Sequence, residues 1–196
     1  MAAGTGLHGR RFDPGRVCLD LVATGPEVSG ACEQLDSPAR LAAWLVAARL
    51  VPPGTPLAAV DDTWVARFRQ LRTGIDGLIS AQLTGEVADR VLERVNALAA
   101  GAPPGLRAVR GRSGALVRAL SADPVCGALL AVVARDTVDL LTDPVARAGL
   151  RRCEGDACRR LYLDTSRGRR RRWCSSEVCG NRERVARHRA RVKAVP

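Results

Sequence analysis

The sequence predicts a mainly α-helical protein with one small β-hairpin, followed by a small cysteine-rich module. Three observations lead to this fold class. Apolar residues make up 46% of the 196 residues, which is enough for a hydrophobic core, and they recur at helical spacing through most of the N-terminal part. A glycine-rich turn between two alternating segments interrupts that spacing near residue 111. Four cysteines fall in two pairs after residue 150.

The helical part begins with a short apolar segment. Gly15–Thr24 has a pattern that suits either a short strand or a first helical turn. Ser37-Pro38 then predicts a helix start, because serine caps free N–H groups and proline fits the first helical position. The prolines and glycine of Val51–Gly54 end this helix. Its apolar residues share one face: Leu41, Trp44, Leu45 and Ala48.

Two further helices are predicted over Asp61–Thr84 and Glu86–Ala100. Both have apolar residues at the 3.6-residue period, so one face of each should pack on a core. These residues are Trp64, Phe68, Leu71, Ile75, Leu78 and Ile79 in the first, and Val87, Val91, Val95 and Leu98 in the second. The glycines and prolines of Gly101–Gly105 end the pattern.

A β-hairpin interrupts the helices. Leu106–Arg110 and Ala115–Leu120 flank Gly111–Gly114, a turn bounded by two glycines. Asp123-Pro124 then predicts the cap of another helix, which runs to about Leu141.

The two parts of the chain differ in charge. Asp143-Pro144 predicts the joint, because proline interrupts a helical ladder, so a helical domain over residues 12–143 precedes a module over residues 150–195. Residues 1–149 hold 16 Lys/Arg and 15 Asp/Glu, whereas residues 150–196 hold 15 and 5, a balance of +10. Thirty of the 31 basic residues are arginine, so the presence of arginine alone indicates little. The clustering of the arginines after residue 150 is the evidence for a cationic module. An acidic polymer is the expected partner of the module.

No secretory or membrane segment is predicted. Met1–Gly15 lacks an apolar stretch, and the most apolar runs, Leu41–Ala48 and Val125–Ala134, are too short to span a membrane. We therefore expect a cytoplasmic, nucleoid-associated protein, in which disulfides rarely persist. The three unpaired cysteines are then expected to be buried as small apolar side chains: Cys18, Cys32 and Cys126.

The four paired cysteines predict one structural zinc ion. Four residues separate Cys153 from Cys158, four separate Cys174 from Cys179, and 15 residues separate the two pairs. Zinc binds four thiolates tetrahedrally, and a turn and a helix start can supply two each, which is typical of a treble-clef-like finger. Two disulfides or four ordinary thiols are the alternatives. A catalytic zinc is disfavoured, because four protein ligands leave no open position.

Short elements are expected around these cysteines. Leu150–Cys153 and Arg160–Asp164 are predicted strands, and Trp173-Cys174 can end a third. Ser175-Ser176 is predicted to cap a last helix that carries Cys179 in its first turn.

Two arginine clusters lie beside the cysteines. The loop before the second pair contains Arg169, Arg170, Arg171 and Arg172. One face of the last helix presents Arg184, Arg187, His188 and Arg191. Another face carries a heptad that is predicted to pack on the strands of the finger: Val178, Val185 and Val192. Such a helix fits a phosphate backbone or a groove, although a solvated charged face is the alternative.

At this point several segments resemble the CGNR zinc finger. They are Asp164–Arg167, Arg171–Ser175 and Cys179-Gly180-Asn181-Arg182. The last four residues give that family its name. The resemblance covers Leu150–Arg191 and implies a DNA-binding finger. Arg182, at the end of the motif, joins the expected nucleic-acid contacts. The zinc ligands that the resemblance implies are Cys153, Cys158, Cys174 and Cys179.

The helical domain resembles the ABATE domain. The similarity rests on Leu19–Thr24, Ser37–Leu45 and Asn96. The family usually has asparagine where this chain has Ala23, so any ligand contact of that asparagine is absent here. The resemblance implies a regulator of stress-induced transcription with a ligand-sensing role for this domain.

We therefore expect a zinc-dependent, DNA-binding transcription regulator. Its finger contacts duplex DNA, and its helical domain senses an unknown small-molecule effector or forms a homodimer. The alternative is an RNA- or ribosome-associated zinc-binding protein. We do not expect an enzyme, because catalytic motifs are missing and Asp13 and Asp20 are lone carboxylates. A redox switch in which oxidation ejects zinc is compatible with the first hypothesis.

Overall fold

The computed structural model describes residues 15–26, 32–86, 88–156 and 158–193, the last four of these for their backbone only. This part of the chain contains helices and strands in the following order: α1 (Val17–Val22), α2 (Pro38–Ala47), α3 (Asp62–Thr84), α4 (Asp89–Ala99), β1 (Leu106–Arg110), β2 (Leu116–Leu120), α5 (Cys126–Thr142), α6 (Pro144–Gly149), β3 (Leu150–Arg152), β4 (Leu161–Leu163) and α7 (Cys179–Lys193). The prediction of a mainly helical protein with a cysteine-rich C-terminal module is confirmed. The segment left open at residues 15–24 is helical.

Side-chain caps define the starts of two N-terminal helices, and the first of them, Ser37, confirms the prediction. The Ser37 hydroxyl accepts a hydrogen bond from the backbone N–H of Arg40 at the start of α2. The Asp61 carboxylate accepts one from Trp64 N–H, at 2.9 Å, at the start of α3. Gly85 ends α3 with a φ of 79°, a left-handed conformation that favours glycine.

The structure differs from the prediction around the two Asp-Pro pairs. The N-cap of α5 is Val125, without a side-chain cap, so Asp123-Pro124 precedes the helix instead of capping it. Asp143-Pro144 starts the short helix α6, where the Asp143 carboxylate accepts a bond from Val145 N–H at 2.8 Å. Proline at the first helical position therefore begins a new helix here, and α6 connects α5 directly to β3.

The main core lies where α5 packs against α1, α3, α4 and α6. The predicted apolar face of α3 is buried except for Trp64, which is half-buried. The Trp44 and Phe68 rings meet edge to face with centroids 5.9 Å apart. The largest fully buried side chains of this core include Leu19, Leu21, Phe68, Ile75, Ile79, Leu129, Leu130 and Leu140. Val87 of the predicted α4 face lies outside the described residues.

The three unpaired cysteines do not behave alike. Cys18 and Cys126 are buried, as expected for small apolar side chains. Cys32 is exposed, so its predicted burial is wrong. It lies just before Glu33, whose carboxylate turns inward to pair with the guanidinium of Arg72 at 2.5 Å. The ion pair fixes this segment at the surface of the core without covering Cys32.

The hairpin β1–β2 is antiparallel, with Leu106 opposite Leu120 and Arg110 opposite Leu116. Its turn contains Gly114 at a φ of 80°, which supports the predicted role of glycine there. Leu120 is buried in the main core, whereas most of the other hairpin residues are exposed. The hairpin is therefore anchored at one end and projects from the domain.

The second hairpin, β3–β4, contributes to two cores. Leu150 and Leu161 are buried in the main core, and Leu163 packs against it. Tyr162, on the opposite face of β4, is buried with the four paired cysteines. A bond of 2.7 Å from the Arg152 guanidinium to the Ser80 hydroxyl of α3 adds a polar contact between the two parts. The C-terminal module is thus packed directly on the helical domain.

Among the described residues, none of the helices combines the length and the apolar composition that crossing a membrane requires.

Candidate zinc centre and nucleic-acid interface

The four paired cysteines meet in one buried cluster. Their Sγ atoms all lie within 4.8 Å of one another. The Sγ of Cys174 lies 3.7 Å from that of Cys158 and 3.6 Å from that of Cys179. A tetrahedral Zn–S distance of about 2.3 Å places neighbouring sulfurs about 3.8 Å apart. The cluster therefore has the dimensions of a four-thiolate zinc site.

Two backbone turns and a helix start position the sulfurs. Cys158 N–H donates to the Gly155 carbonyl at 2.8 Å, which closes the first turn. Cys174 N–H donates to the Cys153 sulfur at 3.3 Å, so one pair supports the other. The Ser175 hydroxyl accepts from Val178 N–H at 3.2 Å immediately before Cys179, the first residue of α7. Cys179 lies in the first turn of the last helix, as predicted, whereas the Ser175 hydroxyl accepts from the turn that precedes this helix.

The sulfurs require a cation if all are to be ionised. Hydrogen bonds from the thiols of Cys158 and Cys174 lower the pKa of Cys153. Hydrogen bonds with the sulfurs of Cys153 and Cys158 raise the pKa of Cys174. Burial raises the pKa of Cys179 to about 12. The protein groups alone therefore do not favour four thiolates together. A divalent zinc ion fits this donor set, because it stabilises four thiolates and has its coordination closed by them.

Asp164 organises the loop that follows β4. Its carboxylate accepts bonds from Ser166 N–H at 3.0 Å and from Arg171 N–H at 2.9 Å. Burial raises the pKa of this carboxyl, but the hydrogen bonds from Ser166 and Arg171 outweigh burial and hold it below its usual value. Sequence reasoning gave Asp164 no role, although an Asp followed two residues later by Ser is typical of an Asx-turn.

Arg171 supports the zinc centre. Its guanidinium donates to the carbonyl of Trp173 at 2.8 Å and to that of Cys174, and lies 5.1 Å from the centre of the Tyr162 ring. The Tyr162 hydroxyl in turn donates to the Arg171 carbonyl. The structure therefore binds Arg171 into the finger, whereas sequence reasoning assigned it to nucleic acid.

The other loop arginines are exposed. Arg169 and Arg170 lie at the tip of the loop, and Arg169 has a φ of 46°. The Arg172 guanidinium pairs with the Glu154 carboxylate at 2.5 Å, at the surface. Because exposed ion pairs are weak, a phosphate can compete for Arg172.

The last helix presents its arginines to solvent. Arg182, Arg184, Arg187 and His188 are exposed, and the side chain of Arg191 lies outside the described residues. The Glu183 carboxylate accepts a bond from Asp156 N–H at 3.1 Å and so ties α7 to the first cysteine turn. The helix is therefore fixed near its start, with its cationic side chains facing outward.

Trp173 lies between the two arginine clusters. The Arg172 and Arg187 guanidinium carbons lie 5.2 and 6.0 Å from the centre of its ring. A Cβ on Gly180 would lie 3.4 Å from this ring, so the glycine allows α7 to pack closely beside the tryptophan. The loop cluster and the helix cluster are therefore parts of one continuous cationic surface.

Two expectations for the finger are wrong. Val178 packs on the cysteine cluster, but Val185 is 40% exposed, and the side chain of Val192 lies outside the described residues. Trp173-Cys174 does not form a strand. The finger is too small to cover more than the first turn of α7, so most of this helix projects from it.

Comparison with known families agrees with this architecture. A family model described as "Putative stress-induced transcription regulator" (ABATE) matches residues 15–144. The CGNR zinc finger matches residues 150–192. No curated protein matches the chain.

Proposed function

The chain belongs to the ABATE family. We propose that it is a zinc-dependent transcription regulator whose CGNR finger binds duplex DNA. One observation carries the proposal. A helix with an exposed cationic face projects from a buried four-cysteine centre. The metal centre fixes the start of the helix, and the arginines face outward where a nucleic acid can reach them.

The dimensions of α7 support a groove-binding role. Its 15 residues extend about 22 Å, and a major groove admits an α-helix. Arg184 and Arg187 lie on the exposed face, and Arg172 lies beside Arg187 across the Trp173 ring. We expect the helix arginines to contact phosphates and base edges, and the loop arginines to contact the flanking backbone.

Duplex DNA is favoured over single-stranded RNA by the state of the aromatic side chains. Tyr162 is 1% exposed, and Trp173 is half-buried beside two guanidinium groups. Among the described residues of the finger, these aromatics do not form a free platform on which unpaired bases could stack. The RNA- or ribosome-associated alternative therefore depends on charge alone.

The helical domain is proposed to regulate the finger, either by binding a small-molecule effector or by forming a homodimer. The support is its direct contact with the finger through β3–β4. In this proposal the protein acts on chromosomal DNA and has no enzymatic activity. The closed thiolate shell favours a structural zinc ion.

A matched pair of double variants tests DNA binding. In the full-length zinc-loaded protein, Arg184→Gln with Arg187→Gln removes two charges from α7. Arg90→Gln with Arg94→Gln removes two from the exposed face of α4. We expect the first variant to bind a duplex about tenfold more weakly and to lose about two units of the log–log salt slope. The second should bind like the wild type.

Competition and sequencing separate the alternatives. Genomic DNA fragments recovered at near-physiological salt should be enriched for a few promoter regions, and a Cys174→Ser variant should recover none of them. Equal loss of affinity in both double variants would contradict a specific interface on α7. Tighter binding of single-stranded RNA than of duplex at equal salt would support the RNA-binding alternative.

A further inference from the structure

The hairpin β1–β2 combines exposed apolar side chains with unbalanced positive charge. Leu106, Leu116 and Val117 are 57%, 68% and 45% exposed. Together with Arg107, Ala108 and Arg118 they line a shallow groove of about 370 Å³. Such clusters of exposed apolar residues on a surface mark interaction sites.

The arginines of the hairpin have no carboxylate partner among the ion pairs of the described residues. Residues 101–122 contain four arginines and no acidic residue. Arg107 donates to the Leu120 carbonyl, Arg110 to that of Gly114 and Arg118 to that of Arg49. Each guanidinium has five N–H groups, so these bonds hold the arginines in place while most donors face outward.

The backbone of the hairpin offers a second kind of contact. Within the part of the chain that the structure describes, β1 and β2 pair only with each other, so each strand has one unpaired edge. An unpaired edge can add an extended peptide by main-chain hydrogen bonds. Two-stranded sheets are marginal by themselves, and a third strand stabilises them.

We propose that β1–β2 binds an extended acidic segment of a partner protein, which adds a strand to the hairpin and places carboxylates beside its arginines. The charge argues against a second copy of the chain, since two hairpins would bring eight arginines together without a carboxylate. The chain's own residues 1–14 hold two arginines and one aspartate, so they do not supply the missing charge.

The surface is separate from the proposed DNA interface. The hairpin precedes α5 and the finger follows it, and the 17 residues of α5 extend about 25 Å. Leu120, which precedes α5 in the chain, anchors the hairpin in the core, whereas Leu150, which follows α5, anchors the finger. A protein bound at the hairpin therefore leaves α7 accessible.

Peptide binding to the full-length, zinc-loaded protein tests the proposal. The probe is an eight-residue peptide of alternating glutamate and valine, with lysine in place of glutamate as the control. We expect saturable binding of the glutamate peptide and slower hydrogen exchange at the β1–β2 amides. Arg107→Gln with Arg118→Gln should weaken binding about five- to tenfold and leave thermal stability unchanged, whereas Arg90→Gln with Arg94→Gln should have no effect.

Four results would overturn the inference. The first two are no binding of the glutamate peptide at about 1 mM and equal binding of the lysine peptide. The other two are a slowing of hydrogen exchange confined to the amides of α7, and a self-association of the protein that Leu116→Ser abolishes. The last result would identify a second copy as the occupant. A fifth result would also overturn it: if Arg107→Gln with Arg118→Gln weakened duplex binding but not peptide binding, the hairpin would be a DNA contact. The proposed role of α7 is tested separately, because its variants leave the hairpin intact.

Discussion

The helical domain and the finger hold their structures by different means. The core of the helical domain consists mainly of leucine, valine, isoleucine and aromatic side chains, and Leu150 and Leu161 of β3–β4 are packed into it. The buried cluster of the finger consists of four cysteines and Tyr162. Burial of apolar area can stabilise the first region, but the second is too small for this and requires metal coordination. One chain therefore contains a metal-independent and a metal-dependent unit, connected through α6 and the β3–β4 hairpin.

Removing zinc should separate the two regions most clearly. A structural zinc ion contributes an apparent free energy of about 10–16 kcal/mol at neutral pH, so chelation should unfold the finger. The helical domain should still melt cooperatively. Differential calorimetry, intrinsic tryptophan fluorescence and metal analysis by mass spectrometry measure these effects.

Two serine variants control that measurement. Cys174→Ser should lose zinc and DNA binding, whereas Cys32→Ser, at an exposed cysteine, should retain one zinc ion per chain and the wild-type melting curve. Complete loss of the helical domain's transition on chelation would show that the two regions are one cooperative unit.

Leu161→Ala should affect both regions. Leu161 is 2% exposed and lies in the core of the helical domain, although it belongs to the strand that carries Tyr162. We expect the variant to lower the free energy of unfolding by about 2–4 kcal/mol and to weaken zinc binding as well. Denaturant unfolding and competition with a zinc chelator measure the two effects. Leu83→Ala, at an exposed position of α3, should change neither. If the zinc affinity of the Leu161→Ala variant stayed unchanged, the β3–β4 hairpin would not couple the helical domain to the finger.

Glu33→Gln should affect the helical domain alone. The hydrogen bonds from Arg72 lower the pKa of Glu33, and both side chains are largely buried. A lowered folded-state pKa stabilises the domain above the pKa of the unfolded state, and this contribution is lost as pH falls through the folded pKa.

Thermal melts should show this pH dependence. We expect Glu33→Gln to cost about 2 kcal/mol at pH 7, and the difference from the wild type to shrink on acidification below about pH 4. The zinc content at pH 7 should be unchanged. A difference that is constant with pH would mean that the carboxylate charge does not contribute.

Trp173→Leu should give the smallest effect and act on the finger alone. The ring aligns Arg172 and Arg187, and each cation–π contact contributes about 0.5–1 kcal/mol. We expect duplex affinity to fall about three- to tenfold while zinc remains bound, as measured by fluorescence anisotropy and metal analysis. Trp173→Phe should recover part of the affinity. Equal losses in both variants would contradict a role for the aromatic face.

Local signals explain what the sequence could predict. The matched spacing of the cysteine pairs, the Ser-Pro cap of α2 and the glycines of the first hairpin all act within a few residues. Each of these predictions is confirmed by the structure.

The features that were missed depend on contacts distant in sequence. Leu161 belongs to strand β4 of the finger but is buried in the core of the helical domain. This burial requires β4 to pack on helices more than 20 residues earlier in the chain. The exposure of Cys32 and Val185 depends on how far neighbouring elements extend, which periodicity does not show. Arg171 looks like its neighbours in the sequence, and only the turn built on Asp164 directs it inward.

The double-sided hairpin β3–β4 has a consequence for modularity. Leu150, Leu161 and Leu163 would become solvent-exposed if the finger were excised or grafted onto another protein, because their partners belong to the helical domain. An isolated finger would then expose an apolar face beside its metal centre and would tend to aggregate. Recombination that exchanges this finger between regulators must therefore also match the surface on which the hairpin rests, so the two units are expected to evolve together.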